Sequence, residues 1–527
     1  MQTSNNHFDN YNLDLYYSDI NNNGIEDTWN NICNYILTND DSIISNEIFC
    51  LDNLGELYEI GLEASNKNLK KSRGKYFTPA DVANLMSEFL IHYYFNLSDY
   101  EKIEYNICDV ACGTGNLILA VLKNIGEAEV INLLTNNKIY LYDNDKIALK
   151  ICETIILTKY KKYKNSIKLN IICNDFLDRK INLPNNSLVI SNPPYAKIDN
   201  IPTNWKQTSI MLESMDLYVA FMEKIISQSK YSVIISPFSF ISGSKFKKLR
   251  NLLNNYTGKI FSFDNVPGNI FNGRKKGIFN SNYTNSVRAA ISIISSENSK
   301  GFQISPLIRF KNTEREQLLN VFTLNKFLPN TFQKINKQNE NFYKCFKELE
   351  FIFNILKNKT NNFEYNLNTL LTEKTDSKYK LFITNTCRYY TVASFKQLNR
   401  QGQYILNFKD ENSLNFAFCL INSSFAYWHW RLYDGAINYP LNLLLKLPSI
   451  YHLLTSNDIM FFNQMAEKMN KLVDNFVVQK NNIGTQENIK FPQYFRTTIN
   501  EKILNILNIS PSNANLFDVI HSNYAFI

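Results

Sequence analysis

The central part of the chain, residues 71–295, predicts an α/β fold with a doubly wound sheet. Short apolar runs alternate there with stretches of helical period, and polar turns separate them. The runs typical of strands are Asn106–Val110, Ile139–Tyr142, Leu169–Cys173, Leu188–Ile190, Ser232–Ile235, Lys259–Phe263 and Ala289–Ile294. The stretches typical of helices include Asn116–Ile125, Lys146–Lys161 and Leu217–Gln228. Since such sheets bind ligands where the strands end, the residues after each run are the first candidates for a site.

Two further regions flank this domain. Residues 1–70 predict an acidic, mainly helical leader, because they hold twelve Asp and Glu against two Lys, a net charge of −10. The whole chain carries +8, so the other 457 residues carry +18, which favours a polyanionic partner. The polar stretch 297–301 predicts a boundary, and the mixed periodicity beyond it predicts an α+β domain. We therefore expect domains at 1–70, 71–296 and 302–527.

Composition argues against several other classes. The nine cysteines are scattered without a Cys-x-x-Cys pair, and the five histidines do not cluster, so we expect neither a metal site nor a Cys/His nucleophile. No apolar run approaches the roughly 18 residues of a membrane span, and the N-terminus lacks a secretory pattern. The sequence therefore predicts a cytoplasmic protein that does not enter a membrane.

A glycine-containing turn follows the first predicted strand. Residues 109–117 read Asp-Val-Ala-Cys-Gly-Thr-Gly-Asn-Leu. Glycines between a strand and a helix permit a tight turn and a close approach of backbone to ligand. The turn lacks both Gly-x-Gly-x-x-Gly and a P-loop lysine, which favours a zwitterionic nucleoside ligand over a phosphate. Asp109 is then the candidate partner of an ammonium group.

The next two strand ends also carry acids. Asp143 ends the second strand, where a carboxylate is placed to bind a ribose diol. Asp145, two residues on, predicts a helix cap. Asp175 and Phe176 follow the third strand and offer an acceptor for an adenine amine beside an aromatic face.

The fourth strand is followed by Ser191-Asn192-Pro193-Pro194-Tyr195. Asn-Pro-Pro-Tyr puts an amide and a rigid run of carbonyls beside an aromatic ring. This group can accept hydrogen bonds from an exocyclic amine while the ring stacks on a flat heterocycle. Taken alone, the motif is also compatible with a plain turn. In chain order, however, the four strand ends match one extended ligand followed by a substrate.

Together these motifs resemble the S-adenosylmethionine-dependent adenine-N6 DNA methyltransferases of the gamma arrangement. That family includes modification subunits of type I restriction systems and Taq-type enzymes. The resemblance rests on the turn Gly74–Pro79, the glycine turn Asp109–Gly115, the Asn-Pro-Pro-Tyr motif and the stretch Asp216–Glu223. Leu117 departs from it, since members usually have Phe after the glycine turn.

The resemblance implies a Rossmann-like methyltransferase sheet that binds S-adenosylmethionine. The cofactor-binding residues it implies are Tyr76, Thr78, Pro79, Asp109, Ala111, Gly113, Gly115, Asn116, Asp143, Asn144, Asp175 and Phe176. The catalytic residues it implies are Asn192, Pro193, Pro194, Tyr195 and Phe271. Tyr195 would stack on the target base and Phe271 would contact its other side. The long run 272–286 leaves Phe279 and Tyr283 as alternatives to Phe271.

Beyond residue 295 the resemblance is weak. The segment Phe418–Trp430 resembles the close of a target-recognition domain, and it is equally typical of a buried aromatic helix. We expect Trp428 and Trp430 in the core, with Arg431 and Tyr433 facing outward. On this basis residues 302–527 are predicted to recognise the target sequence.

The resulting hypothesis is a sequence-specific DNA methyltransferase that modifies N6 of a flipped-out adenine in double-stranded DNA, in a restriction–modification or related defence system. Protein-glutamine methyltransferases share Asn-Pro-Pro-Tyr and are the first alternative. A DNA-specificity subunit with a purely structural pocket is the second, and a fused restriction–modification enzyme is the third. The sequence leaves open a separate restriction nuclease or specificity subunit as a partner, and it does not indicate an oligomeric state.

Overall fold

The computed structural model describes residues 11–38, 50–65, 78–271, 287–335, 340–374, 376–387, 390–434, 437–482 and 484–521. Tyr76, Phe279 and Tyr283, which the sequence singled out, lie outside the described residues.

The described strands are β1 (Asn106–Val110), β2 (Ile139–Asp143), β3 (Leu169–Cys173), β4 (Ser187–Ser191), β5 (Ser229–Pro237), β6 (Thr257–Phe263), β7 (Ala289–Ser295), β8 (Gly301–Ile308), β9 (Lys380–Thr384), β10 (Ala393–Ser394), β11 (Gln403–Asn407), β12 (Val477–Asn482) and β13 (Gly484–Ile489).

The described α-helices are Leu13–Thr38, Leu54–Ser65, Ala80–Phe95, Asp99–Glu104, Asn116–Asn124, Glu127–Thr135, Lys146–Lys159, Ser209–Ser214, Leu217–Gln228, Lys247–Leu253, Arg315–Leu318, Val321–Asn325, Glu350–Lys359, Glu411–Ile421, Ser424–Tyr433, Leu441–Leu444, Ser456–Lys471, Gln493–Ile506 and Asp518–His521. None of these helices combines the length and the hydropathy that crossing a bilayer requires.

The central sheet has the order β3-β2-β1-β4-β5-β7-β6-β8. The pairs β3-β2, β2-β1, β1-β4 and β4-β5 are parallel, and β7 runs antiparallel to both β5 and β6. Strand order reverses between β1 and β4, which is the switch point at which open α/β sheets bind ligands. The predicted doubly wound α/β fold is confirmed.

The register of the parallel strands brings their carboxyl ends together. Val110 pairs with Tyr142 on one side and with Ser191 on the other. Asp143 pairs with Cys173. The residues that follow β1, β2, β3 and β4 therefore emerge at one edge of the sheet.

The described residues divide into two compact units. The first takes in those of Met1–Ile304, Ile308–Lys326 and Thr331–Asn341, and the second takes in Ser305–Leu307, Phe327–Asn330 and those of Phe342–Ile527. The split falls mainly near residue 342, further along the chain than the predicted boundary at 302. One reason is β8, an edge strand that the sequence analysis did not predict.

The helices of the acidic leader belong to the first unit. Tyr16, Trp29 and Tyr58 form a buried cluster together with Ile151 and Ile155 of the helix Lys146–Lys159. The Trp29 ring meets the rings of Tyr16 and Tyr58 edge-on, at centroid distances of 6.0 and 5.6 Å. The described residues of 11–65 thus share a core with the helix Lys146–Lys159, which connects β2 to β3.

The second unit has its own core, built around the helices Glu411–Ile421 and Ser424–Tyr433. Trp428 and Trp430 are buried in it, as expected. The outward placement of Arg431 and Tyr433 was wrong, since both are buried. The Arg431 guanidinium donates from its two terminal nitrogens to the carbonyls of Leu307 (2.8 Å) and Ile520 (3.2 Å).

Candidate cofactor and methyl-transfer site

A cavity of about 460 Å³ opens at the carboxyl ends of β1 to β4, within the size range of ligand sites. It is lined by Glu59, Thr78, Ala111, Cys112, Gly113, Thr114, Asn116, Leu117, Tyr142, Asp143, Asn144, Asp145, Asn174, Asp175, Phe176, Asn192, Pro194, Ala196, Lys197, Trp205, Leu217 and Phe221. The wall combines carboxylates and amides with aromatic faces, as a nucleoside ligand requires.

The glycine turn forms one side of the cavity because its backbone is bent into the left-handed region. Gly113 has φ of 54° and Gly115 has φ of 93°. A Cβ at Gly115 would lie 2.3 Å from the Cys152 sulfur, so no larger residue fits there. Ala111 also has a positive φ, 60°, which is strained for a residue with a side chain.

Asp143 ties this turn to the end of β2. Its Oδ2 accepts a hydrogen bond from the Gly113 N–H at 2.8 Å, and its Oδ1 accepts one from the Asp145 N–H at 2.9 Å. Asp145 in turn caps the helix Lys146–Lys159 by accepting from the Ala148 N–H. The carboxylate of Asp143 is thereby held on the cavity wall in a fixed orientation.

Asp109 does not line the cavity. It is fully buried, and its Oδ2 accepts a hydrogen bond from the Ile118 N–H at 3.0 Å. Burial raises the pKa of Asp109 well above its ordinary value. The Asp109 Oδ2 satisfies an N–H in the first turn of the helix that leaves the glycine turn. The contact between Asp109 and a ligand ammonium stays a prediction.

The end of β3 carries the aromatic part of the wall. Asp175 accepts from the Leu177 N–H at Oδ1 (2.9 Å) and from the Trp205 indole N–H at Oδ2 (2.7 Å). The Phe176 ring lies 5.5 Å from that of Phe221, centroid to centroid. Lys224 donates to the Phe176 carbonyl at 2.6 Å and fixes the backbone of this turn.

Asn192 stands at the end of β4 with both ends of its amide engaged. Its Nδ2 donates to the Thr78 hydroxyl at 2.9 Å, and its Oδ1 accepts from the Tyr195 hydroxyl at 2.7 Å. The Thr78 carbonyl also accepts from Asn116 Nδ2 at 3.1 Å. Thr78 therefore joins the Asn-Pro-Pro-Tyr motif to the helix that follows the glycine turn.

Tyr195 and Phe271 do not face each other across a gap. Their ring centroids are 6.0 Å apart with an interplanar angle of 67°, so they are in direct edge contact. Phe271 is fully buried, and the carbonyls of Asn269 and Ile270 before it accept from Arg315. In this arrangement Phe271 supports the Tyr195 ring, and contact of both rings with a target base stays a prediction.

The leader contributes to the site through the helix Leu54–Ser65. Glu59 lines the cavity. The Tyr58 hydroxyl donates to the Asp145 carboxylate, with both oxygens at 3.0 Å. Gly55 lies so close to the glycine turn that a Cβ there would come within 2.6 Å of the Thr114 hydroxyl. This helix was expected to lie outside the cofactor region.

A charged triad lies at the same edge of the sheet. The carboxylate of Asp216, which is buried, pairs with Lys197 and Lys245. Both lysines are partly exposed, and Lys197 lines the cavity. Burial lowers the pKa of the Lys245 ammonium.

The expected residues therefore fall into two groups. Those that line the cavity are Thr78, Ala111, Gly113, Asn116, Asp143, Asn144, Asp175, Phe176, Asn192 and Pro194. Those that do not are Pro79, Asp109, Gly115, Pro193, Tyr195 and Phe271. The lining residues that sequence reasoning missed include Glu59, Trp205, Lys197, Leu217 and Phe221. Only Leu217 and Phe221 could have been predicted from the sequence, since they lie in the stretch Asp216–Glu223 that carried the family resemblance.

The sheet and its cavity define a Rossmann-like α/β protein of the methyltransferase class. The chain belongs to the N-6 DNA methylase family, whose model matches residues 50–380. The family expected from the motifs is confirmed.

Two curated relatives match parts of this chain. The type I restriction enzyme MpnII methylase subunit of Mycoplasma pneumoniae is 29% identical over 155 residues, which cover 28% of this chain and 26% of that protein. The type II methyltransferase M.VspI of Vibrio sp. (strain 343) is 26% identical over 220 residues, which cover 40% of this chain and 47% of that protein. The chain thus spans less than half the length of each.

Among solved structures, the chain is similar to the ATP-dependent type ISP restriction–modification enzyme LlaBIII bound to DNA. The TM-score is 0.43 at 10% identity, and the match covers 89% of this chain and 48% of that one.

Proposed function

We propose that this chain is a site-specific DNA methyltransferase that transfers a methyl group from S-adenosylmethionine to N6 of an adenine in double-stranded DNA, within a restriction–modification or related defence system. The observation that carries the proposal is Asn192, whose amide is held by Thr78 and Tyr195 at the rim of a nucleoside-sized cavity. Membership of the N-6 DNA methylase family supports it independently.

The residues of the cavity fit S-adenosylmethionine. Asp143 suits a ribose diol, and Asp175 beside Phe176 suits an adenine. The bent backbone around Gly113 and the N-terminus of the helix Asn116–Asn124 suit the amino-acid end, because helix N-termini favour a carboxylate. The bound cofactor would supply an electrophilic methyl group on its sulfonium.

Asn192 would act on the target amine. A base inside a duplex is out of reach, so the adenine must flip out at a cost of a few kcal/mol. The Asn192 Oδ1 and the Pro193 carbonyl would then accept hydrogen bonds from the N6 amine, since a carbonyl oxygen can accept two. These bonds draw the nitrogen lone pair out of conjugation with the ring and orient it. As the N6–methyl bond forms, the bond from the methyl carbon to the sulfonium sulfur would break and S-adenosylhomocysteine would leave. No strong base is needed beforehand, because methylation makes the amine acidic and its proton is then lost to water. Positioning supplies most of the rate gain.

Tyr195 and Phe271 would form the part of the site that contacts the flipped base. The Tyr195 hydroxyl holds the Asn192 amide, and its partly exposed ring offers a face for the flipped base. Phe271 would hold that ring from behind.

Recognition of the DNA sequence is proposed for residues 302–527, with a restriction nuclease or a specificity subunit as a further partner. The excess of +18 outside the leader suits the phosphate backbone, and the affinity should then fall steeply as salt rises.

The test is the chemical identity of the product. The full chain is incubated with S-adenosylmethionine and duplex DNA of mixed sequence, and the nucleosides are analysed by mass spectrometry. N6-methyladenine at one recurring sequence supports the proposal. Methylcytosine, or methylated glutamine when a protein mixture is offered instead, would show that the substrate is wrong.

A further inference from the structure

Trp205 stands on the cavity wall although it belongs to no strand end and to no motif. It lies between the Asn-Pro-Pro-Tyr motif and the helix Ser209–Ser214. Its ring is half-buried, and its indole N–H donates to Asp175 Oδ2 at 2.7 Å. Phe176, Leu217 and Phe221 line the same cavity.

The backbone around Trp205 is fixed against the turn that follows β3. Asp178 and Trp205 form an antiparallel bridge. The Arg179 N–H donates to the Asn204 carbonyl at 3.0 Å, and Asn204 Nδ2 donates to Asp178 Oδ2 at 2.8 Å. The indole is thus held in place by the same turn that carries Asp175.

We infer that Trp205 is a specificity-determining residue for the adenine end of the cofactor, an inference that rests on the proposed function. Its ring adds a flat aromatic face to the cavity wall, which Phe176 and Phe221 also line. Its N–H occupies one oxygen of Asp175 and so fixes the carboxylate with its remaining acceptor positions toward the cavity, where they select a 6-amino over a 6-oxo purine.

The test uses binding of S-adenosylhomocysteine and of S-inosylhomocysteine, in which a 6-oxo group replaces the 6-amino group. Calorimetry on the full chain should show that Trp205→Ala weakens S-adenosylhomocysteine about tenfold. Trp205→Phe keeps a ring but loses the N–H. It should weaken the adenine compound by about threefold to fivefold, as expected for one hydrogen bond, and the inosine compound less. A merely structural role would lower both affinities equally. Lys206→Ala, an exposed neighbour in the same segment, is the matched control and should bind as wild type.

Intrinsic fluorescence gives a second readout that does not depend on the alanine variant folding. The chain has four tryptophans, and Trp29, Trp428 and Trp430 are buried in the two cores. A fluorescence change on binding S-adenosylhomocysteine should therefore disappear in Trp205→Phe. A Trp205→Phe protein with an unchanged fluorescence response and an unchanged adenine preference would overturn the inference.

Different outcomes would refute the proposed function and the inference about Trp205. Trp205-dependent binding without DNA methylation would refute the proposed function and leave the inference standing. A wild-type chain that binds neither compound would refute both.

Discussion

The Asn192 carboxamide donates a hydrogen bond to the Thr78 hydroxyl at 2.9 Å, joining two residues 114 positions apart in the chain. Because the Thr78 carbonyl also accepts from Asn116, one threonine contacts both the cofactor side and the target side of the proposed site. In this arrangement the amide donates through Nδ2 to Thr78 and presents Oδ1 as an acceptor to the Tyr195 hydroxyl.

Thr78→Val should lower kcat for DNA methylation by about threefold to tenfold, the value of one hydrogen bond, because the Asn192 amide loses its orienting acceptor. Thr78→Ser keeps the hydroxyl and should stay close to wild type. The measurement is single-turnover methylation at saturating DNA. Equal rates for valine and serine variants would show that the contact does not orient the amide.

Asn192→Ala should reduce methyl transfer by at least about a hundredfold, since it removes a group that acts on charge developing at the amine. Affinity for S-adenosylhomocysteine should change little, because Asn192 is proposed to face the amine and not the anchors of the cofactor. Mass spectrometry of the DNA and calorimetry on the same preparation separate the two effects. Loss of cofactor affinity in parallel with activity would contradict the assigned role.

Tyr58→Phe should lower the free energy of unfolding of the first unit by about 1–2 kcal/mol, because it removes a hydrogen bond to a carboxylate. Tyr17→Phe, at a half-buried tyrosine of the same cluster, is the matched control and should change stability less. Denaturant titration monitors both.

Deletion of residues 1–60 should lower the free energy of unfolding of the first unit more than removal of a separable leader would, since it exposes Ala148, Ile151 and Ile155. A stable deletion variant with normal cofactor affinity would refute this prediction.

Stability of the second unit should fall as the pH drops from about 6.5 toward 3. Burial lowers the pKa of His429 from 6.5 to about 3, so the unfolded chain takes up a proton in this window that the folded chain does not. The expected slope from this group is at most about 1.4 kcal/mol per pH unit. His429→Gln keeps a polar partner for the Tyr439 hydroxyl, which lies 2.6 Å from the histidine Nδ1, and should flatten the dependence. An equally steep pH dependence in the variant would show that other groups cause it.

The strands of the sheet were predictable because buried parallel strands give short apolar runs with clear ends. β1 and β3 match the predicted bounds, and the other predicted strands differ by a few residues. β8 was not predicted because Pro306 interrupts its apolar pattern. Proline is tolerated there because β8 lies at the edge of the sheet.

The parts of the site that were not predicted depend on contacts between residues far apart in the sequence. Tyr58 and Asp145 are 87 positions apart, and Trp205 and Asp175 are 30 apart, and neither pair leaves a periodic signal. Arg431 was expected outside because of its charge. Its burial depends on carbonyls of Leu307 and Ile520, which no local pattern reveals.

The close approach of Gly55 to Thr114 limits how this chain can be recombined with its relatives. A chimera joined near residue 70 would pair a foreign helix with the native glycine turn, and any side chain at position 55 would collide with the Thr114 hydroxyl. A chimera of family members should therefore keep residues 50–65 together with the central sheet from one parent, so that the exchangeable unit is larger than the motifs alone suggest.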